Sequence, residues 1–308
     1  MTVRILPHAL IVMAALVSAG IGLSEDAGTP QQLKTACDKG NTTACGSLGF
    51  LYAQGNRVSQ NDRQAAAFFR KACDGGDMAS CAPLGLMYER GAGVSQDAFQ
   101  AGTLYRKACD GGDAPGCHHL ARMYMRGTGV PQDDVQAAAF FRKACDGDYI
   151  PSCAPLGAMY ITGRGVKLDN VQAVALYRKA CEGGEVPGCS HLALMYAQGT
   201  GVAQDDMQAA SLFRKACDGG DAPSCSRLGS MYMAGRGVKQ DDVQAVALYR
   251  KTCDGGEALG CLGLASMYRI GRGVRQDDAE ALKYFGRACD LKSKVGCDAY
   301  AQLKMGKQ

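Results

Sequence analysis

Residues 106–117 read RKACDGGDAPGC: two cysteines eight positions apart, with a Gly/Asp-rich turn directly after the first. The spacing recurs. Cys37, Cys73, Cys109, Cys145, Cys181, Cys217, Cys253 and Cys289 follow one another in steps of 36 residues. Each has a partner eight further on: Cys45, Cys81, Cys117, Cys153, Cys189, Cys225, Cys261 and Cys297. All 16 cysteines of the chain fall into this pattern. A fixed period of this length marks a repeat array, in which one small unit buries its apolar stripe only against its neighbours.

One period, 189–217 CSHLALMYAQGTGVAQDDMQAASLFRKAC, shows the unit. Leu192, Ala193 and Tyr196 lie three, four and seven after Cys189, one face of a helix, and Met195 widens that stripe. The glycines of GTGV end it. A second helix starts after Asp205, with Gln208 three residues on as a capping-box partner. The same box is expected at Asn61/Gln64, Asp97/Gln100, Asp133/Gln136, Asp169/Gln172, Asp241/Gln244 and Asp277/Glu280. Leu212, Phe213 and Ala216 are the core candidates of the second helix. In two units the first helix is expected to start late, with Ser80 and Ser152 as caps, because an earlier start would put Pro83 and Pro155 inside it.

The expected fold is all-α: a right-handed solenoid of stacked helical hairpins. Seven hairpin repeats fill 45–296, preceded by a cap and partial helix at 24–44 and followed by a capping half-repeat at 297–308. In that last half-unit Tyr300 stands where the others have Leu, and Lys304 where they have Tyr, as suits a face with no neighbour. Residues 1–23 read as a secretory signal peptide: a short basic start, an apolar run, and small residues at 17–19. The alternative is an uncleaved anchor. With 308 residues, 41 glycines, no tryptophan and a net charge of only +4 spread along the chain, no electrostatic footprint for nucleic acid is present. The mature chain is expected to be secreted or periplasmic, with no membrane insertion after cleavage.

Export decides how the cysteines read. Zinc sites pair cysteines two to four residues apart, and redox catalysis uses a close Cys-x-x-Cys. Neither spacing occurs. The turn after each first cysteine returns the chain to the next helix, so each cysteine is expected to be bonded to the one eight residues away, stapling consecutive repeats.

With the unit in view, LGLMYERGAGV (84–94), LGAMYITGRGV (156–166) and LGSMYMAGRGV (228–238), each followed by a variant of ALYRKAC, resemble the Sel-one-like repeat family, a relative of the tetratricopeptide repeat. The paired cysteines are similar to those of the Helicobacter-type cysteine-rich proteins. The first unit departs, with GNRV at 55–58 lacking the second glycine. The resemblance implies a scaffold that binds proteins or peptides. It also implies an alternative, because the cysteine-rich members are classed as penicillin-binding proteins or weak beta-lactamases. A beta-lactam or a cell-wall peptide is then the implied ligand.

The residues themselves carry little chemistry. No serine has lysine three residues later, and the histidines do not cluster with carboxylates. No cofactor or metal is expected. His118 and His119 have no carboxylate at local spacing to orient them. Methionines 87, 123, 159, 195, 231 and 267 recur at one core-adjacent position and read as packing residues. Positions one, five and eight after each second cysteine vary between units and lie opposite the core stripe. They mix apolar residues with a few cations, and first helices of stacked hairpins line the concave side. Leu86, His118, Arg122, Met125, Ile161, Leu194, Met233 and Arg269 are the expected ligand contacts.

Overall fold

The computed structural model describes residues 28–306, so the expected signal peptide at 1–23 lies outside the described residues. The described residues form sixteen α-helices and two short 3-10 turns. The chain opens with α1 (Pro30–Asp38). The first helices of the repeats are α2 (Thr42–Gln54), α4 (Cys81–Arg90), α6 (Ala114–Arg126), α8 (Cys153–Thr162), α10 (Val186–Gln198), α12 (Ala222–Ala234) and α14 (Ala258–Ile270). The second helices are α3 (Asp62–Asp74), α5 (Ala98–Asp110), α7 (Asp134–Asp146), α9 (Asn170–Glu182), α11 (Asp206–Asp218), α13 (Asp242–Asp254) and α15 (Asp278–Asp290). The last helix is α16 (Lys294–Met305). Two compact units result. One runs to Met159 and includes Gly163–Lys167; the other comprises Tyr160–Thr162 and the residues from Leu168 on.

Both units are built alike. In each unit an aromatic side chain of a second helix is buried between two first helices (Tyr105 and Phe141 in the first unit; Phe213 and Tyr249 in the second), beside a buried Leu and Met of each first helix. Burying one such side chain contributes about 1.5–3 kcal/mol. Tyr88, Tyr124, Tyr196, Tyr232 and Tyr268 are only half-buried, and their hydroxyls accept from the arginine of the preceding second helix, as in Arg178 Nη2 to Tyr196 Oη at 3.0 Å. Met195 is the deeper residue. At the end of the second unit Tyr300 is half-buried, Lys304 is exposed, and the Lys304 ammonium sits 5.6 Å over the Tyr300 ring.

The helix ends differ from the capping-box expectation in one respect. The side chains of Asn61, Asp97, Asp133, Asp169, Asp205, Asp241 and Asp277 each accept the backbone N–H three residues on. The reciprocal bond from the third residue's side chain is absent there, because the cap's own N–H already donates to a tyrosine carbonyl of the first helix, as Asp205 does to Tyr196 at 3.0 Å. Only Thr29 with Gln32 forms the full box among the described residues. The late starts at Cys81 and Cys153 are present. Ser80 and Ser152 make no side-chain cap bond, however: each closes a 3-10 turn, and Ser80 Oγ donates to Asp77 Oδ2 at 2.5 Å.

All eight cysteine pairs are bonded, with Cα atoms 4.4–5.1 Å apart. Each bond ties the end of a second helix to the start of the next first helix. The carbonyl of the first cysteine then receives the lysine ammonium of the following repeat: Lys107 to Cys73 at 2.9 Å, Lys143 to Cys109 at 2.7 Å, Lys215 to Cys181 at 2.7 Å. A cation there also suits the negative end of the helix dipole. Replacing Cys109 and Cys117 together by alanine is expected to cost up to about 2.5 kcal/mol, the chain entropy of one short loop. The same change at Cys289 and Cys297, which ties down only the last described helix, should cost less. Urea midpoints by circular dichroism test both; an unchanged midpoint for the first pair would show that the staple adds nothing.

Candidate functional site

The expected contact residues divide once they are placed. Arg122 and Met125 of α6 and Ile161 of α8 are half-buried, and Arg269 of α14 is exposed. Leu194 of α10 and Met233 of α12 line clefts described below. Leu86 and His118 do not belong to an open face. Leu86 is 6% exposed and covers Phe69 together with Pro83 and Met87. Position one is also covered at Ala82 and Ser226.

His118 is a packing residue of the first unit. Its Nδ1 lies 2.8 Å from Ser152 Oγ, and its ring meets those of Phe141 and Tyr149 edge-on. His119 stacks on Tyr105 with centroids 4.9 Å apart, and its Nδ1 is buried without a hydrogen-bond partner. Burial pushes His118 down to about 3 and His119 to about 4, helped by Arg122 beside both and, for His118, by His119 itself. An imidazole that resists protonation this strongly is a poor general base, and Ser152 is fully buried. The Ser–His contact is therefore structural. Tyr105 Oη donates to Glu89 Oε2 at 2.7 Å, and burial, then Glu89, raises its pKa well above the usual phenol value.

Two open clefts lie in the second unit. One, of about 330 Å³, lies between α12 and α14 over Tyr249, lined by Ser226, Ser230 and Met233 on one side and Leu259, Leu262 and Ser266 on the other. The other, of about 450 Å³, lies between α10 and α12 over Phe213, lined by Leu194, Ala197 and Gln198 and by Ser230, Met233 and Ala234. Arg227 borders both. The floor of the first cleft is polar for a local reason. A buried tyrosine hydroxyl needs a partner, and Ser230 Oγ supplies it to Tyr249 Oη at 2.8 Å. Ser226 Oγ donates to Thr252 Oγ1 at 3.1 Å beneath. Burial raises the Tyr249 pKa, against the pull of Ser230 and Arg272.

Of the expected face, position one lines a cleft in α12 and α14, position five in α10, α12 and α14, and position eight in α10 and α12. Arg227, Leu259 and the aromatic floors were not legible as site residues. The signal for the floors was present in the alternation of Phe and Tyr along the second helices. A second recurring surface lies elsewhere on the repeats. Phe99 and Val135 in the first unit, and Val171, Met207 and Val243 in the second, are 64–71% exposed at one recurring position in the first turn of the second helices. Among the described residues no group of three or more His, Cys, Asp or Glu is placed to hold a metal ion, and no helix is long and apolar enough to cross a membrane.

Comparison with known proteins agrees with this architecture. The family model described as Sel1 repeat matches seven consecutive segments: 43–77, 79–113, 114–149, 151–185, 186–221, 222–257 and 258–293. No curated protein matches the chain. A solved protective antigen of uropathogenic Escherichia coli strains, displaying the Sel1-like repeat fold, is 32% identical with a TM-score of 0.83 over 90% of this chain, which spans 59% of the length of that protein. A Sel1 repeat protein from Oxalobacter formigenes is 26% identical, with a TM-score of 0.68, covering 95% of this chain and 85% of its own. Cysteine-rich protein B of Helicobacter pylori is 30% identical, with a TM-score of 0.34, over 42% of this chain and 98% of its own. Seven matched repeats, hairpins at every one of them and a disulfide at each junction place this chain in the Sel1 repeat family.

Proposed function

We propose that the chain is an exported scaffold that binds an extended peptide, free or as a segment of a larger protein, in the groove of its second unit. The observation that carries this reading is the pair of adjoining clefts over Phe213 and Tyr249, about 450 and 330 Å³ in volume, with apolar walls and hydroxyls at fixed places. Clefts of a few hundred Å³ with apolar linings and a few placed polar groups are the usual form of a binding site. Their recurrence at a helix spacing suits a chain laid across successive first helices. Export is supported by eight disulfides, which persist in oxidising compartments. Hydrolysis of a beta-lactam gains no support from the contact of Ser152 with His118, for the reasons given above.

Selection of a random peptide library on the purified, oxidised protein tests the reading. Selected peptides are expected to bind at least tenfold more weakly to variants with Leu194→Glu or Met233→Glu, each half-buried on the cleft wall. Selected peptides that bind wild type and both variants alike would show that the groove is not the site.

A further inference from the structure

We propose, resting on that reading, that the groove selects peptides with an acidic side chain lying between two apolar side chains three residues apart. The geometry sets the spacing. The two clefts lie on either side of α12, so their centres are separated by about one interhelical distance, roughly 8–10 Å. A peptide in the extended polyproline-II form advances about 3.1 Å per residue with three residues per turn. Residues i and i+3 then point the same way about 9 Å apart, one into each cleft. Leu194 walls one cleft, Leu259 and Leu262 wall the other, and Met233 borders both.

Charge selects what lies between. No Asp or Glu lines either cleft, and the cations there are Arg227 and Arg236. Arg236 is already committed, donating to Asp206 through Nε at 3.2 Å and Nη2 at 2.8 Å. Arg227 is exposed, borders both clefts, and has no hydrogen-bond or ion-pair partner among the described residues. Its guanidinium is suited to a bidentate bond with a carboxylate. A carboxylate on residue i+1 or i+2 of a peptide spanning α12 meets it, and a lysine there meets repulsion.

The test uses three peptides blocked at both ends, so that no terminal charge contributes: acetyl-Ser-Leu-Ala-Glu-Leu-Ser-amide and its Gln and Lys counterparts at the fourth position. Calorimetric titration of the oxidised full chain is expected to give at least tenfold tighter binding for the Glu peptide than for the Gln peptide, with the Lys peptide weakest. Arg227→Gln is expected to abolish the Glu-over-Gln preference while leaving the Gln peptide within twofold of wild type and the melting temperature unchanged. Equal binding of the Glu and Gln peptides to wild type, with Met233→Glu still weakening both, would overturn the acidic preference and leave the groove reading standing. Preference for the Lys peptide would overturn it as well. Failure of all three peptides to bind at millimolar concentration would overturn both.

Discussion

Gly237→Ala is expected to destabilise the second unit by about 3 kcal/mol or more, while Gly220→Ala, only seventeen positions away, should cost about 1–2 kcal/mol. Both glycines have positive φ, +65° and +92°. Backbone strain is therefore common to the two. What differs is the space. A Cβ on Gly220 meets nothing within 4 Å, whereas one on Gly237 would stand 1.9 Å from the Asp206 carbonyl oxygen and 2.2 Å from its carbon. Those are backbone atoms at the start of α11, so relief requires the turn to leave the preceding repeat. The contact recurs in both units: Gly93 on Asp62, Gly129 on Ala98, Gly165 on Asp134, Gly201 on Asn170, Gly273 on Asp242.

The Gly-Gly turns are the natural control. Asp148 and Lys292 stand there at φ +59° and +67°, where Gly220 and its equivalents have open space, so a left-handed residue other than glycine is tolerated where no backbone lies against its Cβ. The ion pairs Arg164–Asp134 and Arg236–Asp206 span the junction at Gly165 and at Gly237, but exposed pairs are worth at most about 1 kcal/mol. The glycine holds it. Urea unfolding of the two alanine variants, followed by circular dichroism, measures the difference. Equal losses would show that φ alone sets the cost.

Acidification from pH 6 to pH 4 should weaken the first unit, by about 1.4 kcal/mol per pH unit as an upper figure. The sign comes from three groups. His118 and His119 fall from 6.5 to about 3 and about 4 on folding. Their contribution is intact above 6.5 and is lost as pH falls, because the unfolded chain takes up protons that the folded one refuses. Asp113 moves the other way, from 3.8 to about 6, raised chiefly by burial and further by Asp77, against the Gly116 N–H it accepts at 2.7 Å. Its contribution is full below 3.8 and is lost as pH rises through 6. Between pH 4 and 6 the unfolded chain binds two extra protons at the histidines and the folded chain one at Asp113, so one net proton drives unfolding.

Two variants separate these contributions. His118→Gln with His119→Gln should reverse the slope, so that stability rises on acidification. Asp113→Asn, which keeps the cap acceptor, should make it steeper. Proteolysis rates of the first unit across this pH range report the slopes. A wild-type slope unchanged by the double histidine substitution would rule out the histidines as its source.

Much of this architecture is legible in one dimension because a repeat of 36 residues shows every position several times. Helix ends came from the glycine turns and the Asp caps, and the staples came from cysteine spacing. What was misjudged depends on neighbours that the unit itself does not display. The capping boxes stay half-formed because a tyrosine carbonyl takes the cap N–H. Leu86 is buried against Phe69, whereas the equivalent Ser230 is the partner of the Tyr249 hydroxyl. His118 is held by Ser152, Phe141 and Tyr149 of the following repeats. In the second unit some of positions one, five and eight line clefts, but the floors of those clefts belong to other helices.

Methyl-labelled NMR of the oxidised protein, titrated with acetyl-Ser-Leu-Ala-Glu-Leu-Ser-amide, tests the groove most directly. Shifts are expected at Leu194, Met233, Leu259 and Leu262, with Val171, Met207 and Val243 on the second helices unmoved. Shifts confined to those three, with the cleft methyls silent, would place binding on the exposed ridge and contradict the groove.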